Sequence, residues 1–486
     1  MSFRYAAGIN KPGFDPLTNG QGIWNLSSQA NAKAAGTWPR APGAPTIGTA
    51  TGGDASASIT FTAPSDLGVP AATSYTMTSS PGSLTGTGAT SPITVSGLTN
   101  GTPYTFTVKA VSTIGAGADS AASNSVTPVA LLYLWSWGRS NFGQLGLGNT
   151  TDYSSPKQVG ALNTWASIEA GQQSNQRAGY AIKTNGTLWS WGKNDYGQLG
   201  LGNTTNYSSP KQIGALTSWL KISGGSYGSV SAIKTDGTLW SWGYNGNGQL
   251  GLGNTTNYSS PKQVGALTSW SIVSSSYGTL AIKTNGTLWS WGRNSQGQLG
   301  LGNTTYYSSP KQVGSLTSWA SVSANHYGSF AIKTDGTLWS WGENAEGQLG
   351  LGNTTQYSSP KQVGALTSWS KVFYGEGNQT ISVKTNGTLW SWGSNNVGQL
   401  GLSNTTSYSS PKQVGALTDW STPTAGANTS GCLKTDGTIW MWGDNQYGQL
   451  GVGSTVNKSS PVQVGAATVW TSISTSQFFT LGLRAV

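Results

Sequence analysis

A sequence repeat of about 50 residues constrains the fold of this chain more than any other feature. Within each repeat, Trp-x-Trp-Gly is followed first by Gly-Gln-Leu-Gly and then by a third tryptophan. Trp-x-Trp-Gly begins at seven positions, spaced 54, 51, 49, 50, 51 and 50 residues apart: Trp135, Trp189, Trp240, Trp289, Trp339, Trp390 and Trp440. Repeats of this kind cannot bury their apolar surfaces alone. The pattern therefore predicts similar units that pack on one another across residues 131–486.

The two ends of the array predict how it closes. Each unit contains four segments with strand character, and an Asn-Gly or Asp-Gly pair predicts a two-residue hairpin turn, because Asn, Asp and Gly tolerate positive φ. Six such pairs precede seven Trp-x-Trp-Gly elements. Residues 478–484 supply the strand that should precede the missing turn, and residues 132–135 supply the strand that should follow it. If these segments pair, the array closes into a seven-bladed β-propeller with few exposed sheet edges.

The signature Gly248-Gln-Leu-Gly-Leu-Gly253, the period and the number of units resemble the regulator of chromosome condensation family of propellers over residues 131–486. Members of that family include a nucleotide exchange factor that works on chromatin and a bacterial inhibitor of β-lactamases. The resemblance therefore implies a binding surface rather than one particular activity. The 21 repeat tryptophans are the same in every unit, which favours packing between blades over a local stacking site for a ligand.

Residues 41–129 follow a different pattern, in which short segments alternate large with small or polar side chains, as half-buried strands do. Pro45, Pro64, Tyr75, the run from Leu98 to Tyr104 and the exit Ser123-Asn-Ser-Val-Thr-Pro128 are similar to a fibronectin type III domain. The resemblance implies a β-sandwich in which Tyr104 forms the tyrosine corner. Phe61 stands where tryptophan is usual in that family. We interpret this domain as a rigid spacer.

Residues 1–40 have too few apolar side chains for a core of their own. Ser27 or Ser28 is expected to cap a short helix that Gly36 ends. The segments Gly22-Ile-Trp-Asn-Leu and Gly36-Thr-Trp-Pro resemble the opening of structural proteins of tailed bacteriophages, which implies attachment to a virion. The alternative is a plain disordered leader. The predicted virion-docking residues are Phe3, Tyr5, Phe14, Trp24, Leu26 and Trp38.

The residue types needed for most catalytic and metal chemistry are scarce. The chain has one histidine and one cysteine, and its 15 acidic residues show no recurring pair placed for acid–base catalysis. We therefore expect no enzymatic activity, no metal and no cofactor. Glu343 and Glu346 are close in sequence, but we interpret them as part of a solvated loop. A glycoside-cleaving pair formed across loops stays an alternative.

Charge and hydropathy narrow the expected partners. The net charge is +10, but twelve lysines recur at fixed repeat positions, which is typical of solubility devices rather than of a nucleic-acid surface. No apolar segment is long enough for a secretory signal or a membrane span. We therefore expect a protein made in the host cytoplasm that neither inserts into a membrane nor binds nucleic acid.

Differences between the repeats predict where recognition takes place. The loop after Trp-Gly, the loop between the first and second strands, and the residue before Tyr in Thr-Thr-x-Tyr vary, while the rest hardly changes. Strand directions in an up-and-down blade place all three at one end of the propeller. The alternative is that these are solvent loops that vary without consequence. The candidate partner-binding residues, mostly Tyr and Arg because such residues often anchor interfaces, are Arg139, Phe142, Arg177, Lys193, Tyr196, Tyr227, Tyr244, Tyr277, Arg293, Tyr306, His326, Tyr327, Tyr374 and Tyr447.

These features together predict an all-β chain in three parts: a docking segment, a fibronectin type III-like sandwich and a seven-bladed β-propeller. The predicted function is a bacteriophage virion protein, a tail fibre or surface appendage, that docks to other virion proteins and binds a host surface protein or glycan. We expect a homo-oligomer within the particle. The main alternative is a propeller that inhibits or scaffolds another protein outside any virion. A chromatin-type exchange factor is disfavoured, because near-identical blades lack a distinct catalytic wedge.

Overall fold

A computed structural model describes residues 26–171 and 177–485 of the chain, which separates into two compact units, Met1–Leu131 and Leu132–Val486. Phe3, Tyr5, Phe14 and Trp24, and the side chain of Leu26, lie outside the described residues. Trp38 is half-buried. The predicted docking role of all six residues therefore stays a prediction.

A single α-helix, α1 (Leu26–Ala34), precedes the sandwich in the described part of the chain. It begins earlier than a cap at Ser27 or Ser28 would allow, so that part of the prediction is wrong. It ends as predicted at Gly36, which adopts a φ of 69°. The Thr37 N–H donates to the Ala32 carbonyl and the Gly36 N–H to the Lys33 carbonyl, the paired bonds of a Schellman cap that require a left-handed residue at this position.

Seven strands form a β-sandwich in the first unit. They are β1 (Thr46–Gly52), β2 (Ser56–Thr62), β3 (Ser74–Ser80), β4 (Thr85–Gly88), β5 (Ile93–Ser96), β6 (Thr105–Ser112) and β7 (Gly115–Ala116), in sheets ordered β1-β2-β5 and β4-β3-β6-β7. Tyr104 forms the predicted corner, since its hydroxyl accepts the Thr99 N–H at 3.1 Å. Phe61 packs on Tyr75 at 4.6 Å between ring centroids, within a core that includes Ile59 and Val108.

The second unit is a ring of seven four-stranded antiparallel sheets, as predicted. Its strands are β8 (Leu132–Gly138), β9 (Tyr153–Gln158), β10 (Trp165–Ala170), β11 (Ala178–Lys183), β12 (Leu188–Gly192), β13 (Tyr207–Gln212), β14 (Trp219–Gly224), β15 (Ser229–Lys234), β16 (Leu239–Gly243), β17 (Tyr258–Gln263), β18 (Trp270–Ser274), β19 (Gly278–Lys283), β20 (Leu288–Gly292), β21 (Tyr307–Gln312), β22 (Trp319–Ala324), β23 (Gly328–Lys333), β24 (Leu338–Gly342), β25 (Tyr357–Gln362), β26 (Trp369–Tyr374), β27 (Gln379–Lys384), β28 (Leu389–Gly393), β29 (Tyr408–Gln413), β30 (Trp420–Ala425), β31 (Thr429–Lys434), β32 (Ile439–Gly443), β33 (Lys458–Gln463), β34 (Trp470–Thr475) and β35 (Phe479–Ala485).

The ring closes through its two ends. We number the blades 1 to 6 from β10–β13 to β30–β33, and blade 7 contains β34, β35, β8 and β9. Strand β35 pairs with β8 in continuous register from Phe479 opposite Gly138 to Ala485 opposite Leu132. The all-β fold with a seven-bladed propeller is therefore confirmed.

The three tryptophans of each repeat pack adjacent blades together. Trp242 is fully buried, and its indole N–H donates to the Gln198 carbonyl of the preceding blade at 2.9 Å. Trp219 packs edge-on against Trp240 and Trp242 at 6.1 Å. Burying roughly 200 Å² of indole at about 25 cal/mol per Å² corresponds to ~5 kcal/mol of transfer free energy. The same arrangement recurs around the ring, which accounts for the repetition of these residues.

The hairpin turn of each repeat differs from the one predicted. Gly237 has a φ of 76°, but Asp236 is not among the non-glycine residues with positive φ. The loop therefore spans three residues, and the Gly237 N–H bonds back to the Lys234 carbonyl. Asp236 acts through its side chain instead: its carboxylate accepts the Thr238 N–H at 2.9 Å and the Thr238 hydroxyl at 2.7 Å. Asn and Asp are both suitable here because each supplies that acceptor oxygen.

The first strands of the blades contact one another around the whole ring and so surround the axis. At five blade interfaces a Ser or Thr hydroxyl accepts a backbone N–H from the first strand of the next blade, for example the Ser275 N–H on Ser223 at 3.0 Å and the Ala324 N–H on Ser274 at 2.9 Å. Glu169 takes this position in blade 1, where its carboxyl accepts the Gly224 N–H. Phe373 takes it in blade 5 and has no oxygen to offer.

Candidate recognition face

The two kinds of variable loop meet at one end of the ring, which we call the variable face. The first residue after each Trp-Gly bonds through its N–H to the loop between the first and second strands of the same blade. Tyr244 bonds to the Gly228 carbonyl at 3.0 Å, Arg293 to Tyr277 at 2.9 Å and Arg139 to Phe478 at 2.8 Å. At the opposite end, the constant face, the turn at Lys234–Thr238 contacts the preceding segment through the Thr235 N–H and the Ser218 carbonyl at 2.8 Å.

An asparagine holds the loop that follows Trp-Gly in six of the seven blades, and Ser140 takes its place in blade 7. The Asn194 side chain donates to the carbonyls of Asn203 and Thr205 at 3.0 and 2.9 Å, and it accepts the Leu199 N–H at 2.9 Å. The side-chain oxygen of Gln198, Oε1, accepts the Tyr196 N–H at 2.9 Å. Because these bonds fix the backbone, the first and fourth residues of the loop, here Lys193 and Tyr196, can vary without altering the loop conformation.

The third variable position is mainly structural. Asp152, Asn206, Asn257 and Asn457 each accept a loop backbone N–H at 2.7–2.8 Å, and Ser407 does so at 3.1 Å. The side chains differ between blades, but all of them supply an acceptor oxygen for the same bond. Variation at this position is therefore constrained by the scaffold rather than by a partner. Tyr306 has no such acceptor and is 44% exposed, away from the ring contacts described next.

Two arginines and a lysine pack on aromatic rings where blades 6, 7 and 1 meet. Arg139 lies over Tyr447 at 4.4 Å from its ring centroid and over Phe478 at 5.4 Å. Arg177 lies over the same Phe478 ring at 4.3 Å and over Phe142 at 5.2 Å. Lys193 lies over Phe142 at 5.1 Å. The sequence predicts Phe478 only as part of the closing strand, whereas in the structure its ring is 7% exposed and covered by the two arginines.

A row of aromatic rings continues from this cluster across blades 1 to 4. The centroids of Tyr196 and Tyr244 are 5.0 Å apart, those of Tyr244 and Tyr227 6.0 Å, and those of Tyr227 and Tyr277 4.7 Å. His326 lies 4.1 Å from Tyr277 and 3.9 Å from Tyr327. Arg293 closes the row over Tyr277 at 4.9 Å and Tyr327 at 5.3 Å.

Together these side chains form one surface, the aromatic–cationic band, because each residue contacts the next except at Lys193 and Tyr196, which flank a single short loop. The band consists of Tyr447, Arg139, Phe478, Arg177, Phe142, Lys193, Tyr196, Tyr244, Tyr227, Tyr277, His326, Tyr327 and Arg293. It crosses six of the seven blades. Twelve of the fourteen sequence-predicted candidates belong to it.

Two predicted contact residues are corrected by their burial. Tyr374 is 1% exposed, because its ring packs on Phe330 and its hydroxyl bonds to Asn378 at 3.0 Å. Tyr277 is 3% exposed and supports the band from beneath. Neither side chain can touch a partner directly. Sequence alone places both at loop ends but does not show whether the ring turns inward.

Tyr227 has a strained backbone conformation that places its ring within the band. This residue lies within a short 3-10 turn, Ser226–Gly228, with φ 58° and ψ 13°. A tyrosine in this left-handed region costs roughly 1–3 kcal/mol. The conformation places its ring between those of Tyr244 and Tyr277.

Burial and like charges shift the ionisation of the band. Burial, and secondarily the charge of Arg139, lowers the pKa of Arg177. Burial and the charge of Arg293 lower the pKa of His326 to about 3, so this imidazole is neutral at physiological pH. Lys193 forms an ion pair with Asp195 at 3.0 Å while its side chain stays 12% exposed. The band therefore gains its positive charge from three arginines and one lysine, not from histidine.

Loops between first and second strands meet over the ring axis. The hydroxyls of Ser226 and Ser276 are 2.8 Å apart, and Ser226 also donates to Glu376, three blades away, at 3.5 Å. Burial raises the pKa of Glu376 well above its ordinary value. Over residues 26–171 and 177–485, no three His, Cys, Asp or Glu side chains come together in a way that could hold a metal ion. No helix in that part of the chain is long and apolar enough to cross a membrane.

Comparison with known proteins identifies both folded regions. The pattern of the regulator of chromosome condensation (RCC1) repeat matches seven segments of the chain. They are residues 133–175, 185–232, 236–280, 285–332, 335–378, 386–433 and 436–483. The fibronectin type III domain pattern matches residues 41–126.

Similar proteins share only part of the chain. The E3 ubiquitin-protein ligase HERC2 of Mus musculus is 34% identical over 148 residues, 30% of this chain and 3% of that protein. The ultraviolet-B receptor UVR8 of Arabidopsis thaliana is 35% identical over 147 residues, 30% of this chain and 33% of that protein. The match thus spans a third or less of either relative.

Solved structures resemble the propeller in fold. Prp20p from Saccharomyces cerevisiae has a TM-score of 0.64 at 17% identity, covering 74% of this chain and 92% of that one. Human WBSCR16 has a TM-score of 0.64 at 18% identity, covering 73% of this chain and 99% of that one. Identities this low indicate a shared fold and leave the ligand to be argued from this chain's own side chains.

Proposed function

This chain belongs to the regulator of chromosome condensation (RCC1) repeat family, and from that premise we propose that it is a non-enzymatic adhesion protein of a bacteriophage virion. In this proposal it is a tail fibre or surface appendage. Residues 1–40 dock it to other virion proteins, the fibronectin type III domain acts as a spacer, and the variable face of the propeller binds the host surface.

The observation that carries the binding role is the continuity of the aromatic–cationic band. Blades with nearly identical scaffolds present different first and fourth loop residues, and those residues contact one another across blade boundaries, as Tyr196 and Tyr244 do at 5.0 Å. Loops that varied without consequence would not be expected to build one connected surface of Tyr, Phe and Arg. Such residues combine contact area with fixed hydrogen-bond geometry, which suits them to recognition.

The virion part of the proposal depends on the resemblance of Gly22-Ile-Trp-Asn-Leu and Gly36-Thr-Trp-Pro to phage structural proteins. Mass spectrometry of purified phage particles from the source should detect this chain at a stoichiometric level. A variant lacking residues 1–40 should be produced at a normal level but be missing from particles. Absence of the full chain from purified particles would contradict attachment to a virion.

The binding part is tested by changing the variable loops alone. In one variant, residues 394–397 of blade 5 replace the equivalent loops of blades 1, 2, 3, 6 and 7. The matched control exchanges Asp236, Asp335 and Asp436 for the Asn found in the other blades, which alters only the constant face. We expect the loop variant of the full chain to stop adsorbing to susceptible host cells and the control to adsorb normally. Equal adsorption by both would refute recognition through the variable face.

A second candidate is a protein-binding inhibitor or scaffold outside any virion. It is favoured by what one structural neighbour binds: one study of Prp20p concerns its binding to Gsp1p and histones, and another shows Kap60 bound to yeast RCC1 (Prp20). This candidate predicts that the same loop variant loses a soluble protein partner rather than cell adsorption. Detection of the chain in particles would decide against it.

A further inference from the structure

We propose that the aromatic–cationic band binds an acidic polysaccharide, with a carboxylate of the ligand held by Arg139, Arg177 and Lys193 and its hydroxyl groups held along the tyrosines. The inference rests on the proposed recognition role of the variable face and adds the chemical class of the ligand. It follows from the distribution of charge, of hydrogen-bond donors and of occupied ring faces along the band.

The charge of the band is concentrated at one end. Arg139 and Arg177 share the Phe478 ring at 5.4 and 4.3 Å, and Arg177 and Lys193 share the Phe142 ring at 5.2 and 5.1 Å. The repulsion between the two guanidinium groups contributes to the lowered pKa of Arg177. Asp195 pairs with Lys193, and the Asp444 carboxylate accepts bonds from Gln446 and Gln449 at 3.1 Å. Asp152 is a third carboxylate on this face, and it accepts the Ser140 N–H at 2.7 Å. Because all three carboxylates already hold partners, an anionic group of a ligand would stabilise the three clustered cations.

The band also presents hydrogen-bond donors along its length. The hydroxyls of Tyr196, Tyr227, Tyr244, Tyr327 and Tyr447 make no hydrogen bond to any residue of the described ranges, although all five side chains are only half-buried. The scaffold tyrosines behave differently: the Tyr207 hydroxyl accepts from Asn203 at 3.3 Å and that of Tyr258 from Asn254 at 3.2 Å. A hydroxyl-rich ligand would satisfy the phenols of the band, each of which can both donate and accept.

The ring contacts favour a saccharide over a nucleic acid. Binding of single strands depends on open aromatic faces on which bases stack. In the band the faces are turned toward other rings or guanidinium groups, as in the 4.7 Å contact of Tyr227 with Tyr277 and the 4.4 Å contact of Arg139 with Tyr447. These covered ring surfaces are not available for the stacking of bases. The four cations are also separated into a group of three and a lone Arg293, which does not match the regular charge of a phosphate backbone.

The chemistry is tested with the full chain and defined polymers. The probes are polygalacturonate, alginate and hyaluronate, with dextran and methyl-esterified polygalacturonate as neutral controls, measured by calorimetry or surface plasmon resonance. We expect at least one carboxylated polymer to bind and esterification to weaken binding by about tenfold or more, since a charge-assisted pair contributes more than 1.4 kcal/mol. Failure of all three carboxylated polymers, or equal binding of the esterified one, would overturn the inference.

Matched variants locate the site. The double change Arg139→Gln and Arg177→Gln should weaken polymer binding by about tenfold or more. The control Lys211→Gln with Lys262→Gln removes the same charge from fourth strands and should leave binding unchanged. If the arginine variant unfolds, Tyr227→Phe with Tyr244→Phe removes only two hydroxyls and should weaken binding about threefold to tenfold. Unchanged binding in both band variants would place the ligand elsewhere and overturn the inference.

Two further arms separate this inference from the proposed function. If protease treatment of host cells abolishes loop-dependent adsorption while the polymers fail to bind, the ligand is a protein; the acidic-polysaccharide inference is then wrong and recognition through the variable face stands. If the loop variant adsorbs like the unaltered chain, both proposals fall. A single-stranded oligonucleotide that binds more tightly than every polymer, and loses affinity in the arginine variant, would replace the polysaccharide by a nucleic acid.

Discussion

The constant and variable faces are built from the same seven blades, but their side chains follow opposite rules. On the constant face one set of contacts recurs: Lys234 lies over Trp240 at 3.7 Å, and its counterparts Lys333 and Lys384 lie over the equivalent tryptophans at 3.9 and 3.6 Å. On the variable face the loop backbone bonds recur, but the contacts between aromatic and cationic side chains do not. Arg139 on Tyr447 and Tyr196 on Tyr244 each occur once. The comparison teaches that repeated contacts hold the ring together, whereas unrepeated contacts are free to recognise a partner.

The largest expected effect comes from breaking a contact of the scaffold. Trp242→Ala should lower the free energy of unfolding by about 3–5 kcal/mol, because it removes a fully buried ring and one of the two donors to the Gln198 carbonyl, the other being the Tyr180 hydroxyl. Denaturant unfolding of the full chain measures the loss. The matched change Tyr244→Ala, in the next loop of the same blade, should cost far less. Equal losses would mean that the variable face carries as much stability as the scaffold.

The next largest effect on stability concerns Glu169, whose carboxyl takes the place of the Ser or Thr hydroxyl found at the equivalent position of five other blades. Burial raises the pKa of Glu169 to about 8, against an ordinary 4.5, and the bonds from Gly224 and Ser474 oppose that rise only in part. A raised folded-state pKa means that the protonated form stabilises the fold. That stabilisation is complete below about pH 4.5 and is lost as the pH rises toward about 8.

Glu169→Ser restores the hydroxyl found at the equivalent positions of other blades, such as Ser223. We expect the variant to gain stability over the unaltered chain as the pH rises, on the order of 4 kcal/mol by about pH 8, because the carboxyl no longer has to ionise in place. The difference between the two unfolding free energies, measured from about pH 5 to about pH 8, cancels the similar contribution of Glu376. A difference that stays flat or shrinks with pH contradicts the assignment.

The sequence predicts the closure of the ring more accurately than it predicts the turns of the constant face. The ring and its closure are predicted because 478–484 and 132–135 each lack a hairpin partner and can only pair with each other. The turn at Asp236 is mispredicted, because the pair Asp-Gly suits both a positive φ and a side-chain acceptor, and the sequence does not say which operates. The repeat pattern thus predicts the topology of the ring but does not predict which interaction stabilises each turn.

The sequence predicts where the candidate site lies better than it predicts which residues belong to it. Variation between repeats correctly predicts that the variable loops lie at one end of the ring, since loops are where blades can differ without disturbing packing. It does not reveal that Tyr374 turns inward onto Phe330, or that two arginines cover the Phe478 ring. Both outcomes depend on contacts between blades, which are far apart in sequence. Inward or outward orientation at a strand end is decided by those neighbours.

A smaller effect tests the turn of the constant face. Asp236→Ala should cost about 1 kcal/mol, because two bonds to Thr238 are lost while the backbone turn can persist. Asp236→Asn should cost much less, since the acceptor oxygen is kept and Asn occupies this position in blades 1, 3 and 5. Thermal unfolding of the two variants distinguishes them. If Asn were as harmful as Ala, the charge rather than the acceptor would be the stabilising feature.

The smallest expected effects on stability come from removing a contact between a cation and an aromatic ring, once on the constant face and once on the variable face. Lys234 is buried at 7% exposure and lies over Trp240 and Trp219 at 3.7 and 5.0 Å, and burial lowers its pKa. Lys234→Gln should cost about 1 kcal/mol, partly offset because an ammonium no longer has to be desolvated. Arg139→Gln, on a half-exposed contact with Tyr447, should cost about 0.5 kcal/mol or less. Polymer binding should reverse the order, since only Arg139 belongs to the band. A stability loss at Arg139 as large as that at Lys234, with no loss of binding, would mean that the aromatic–cationic contacts hold blades together and that the two faces do not divide stability from recognition.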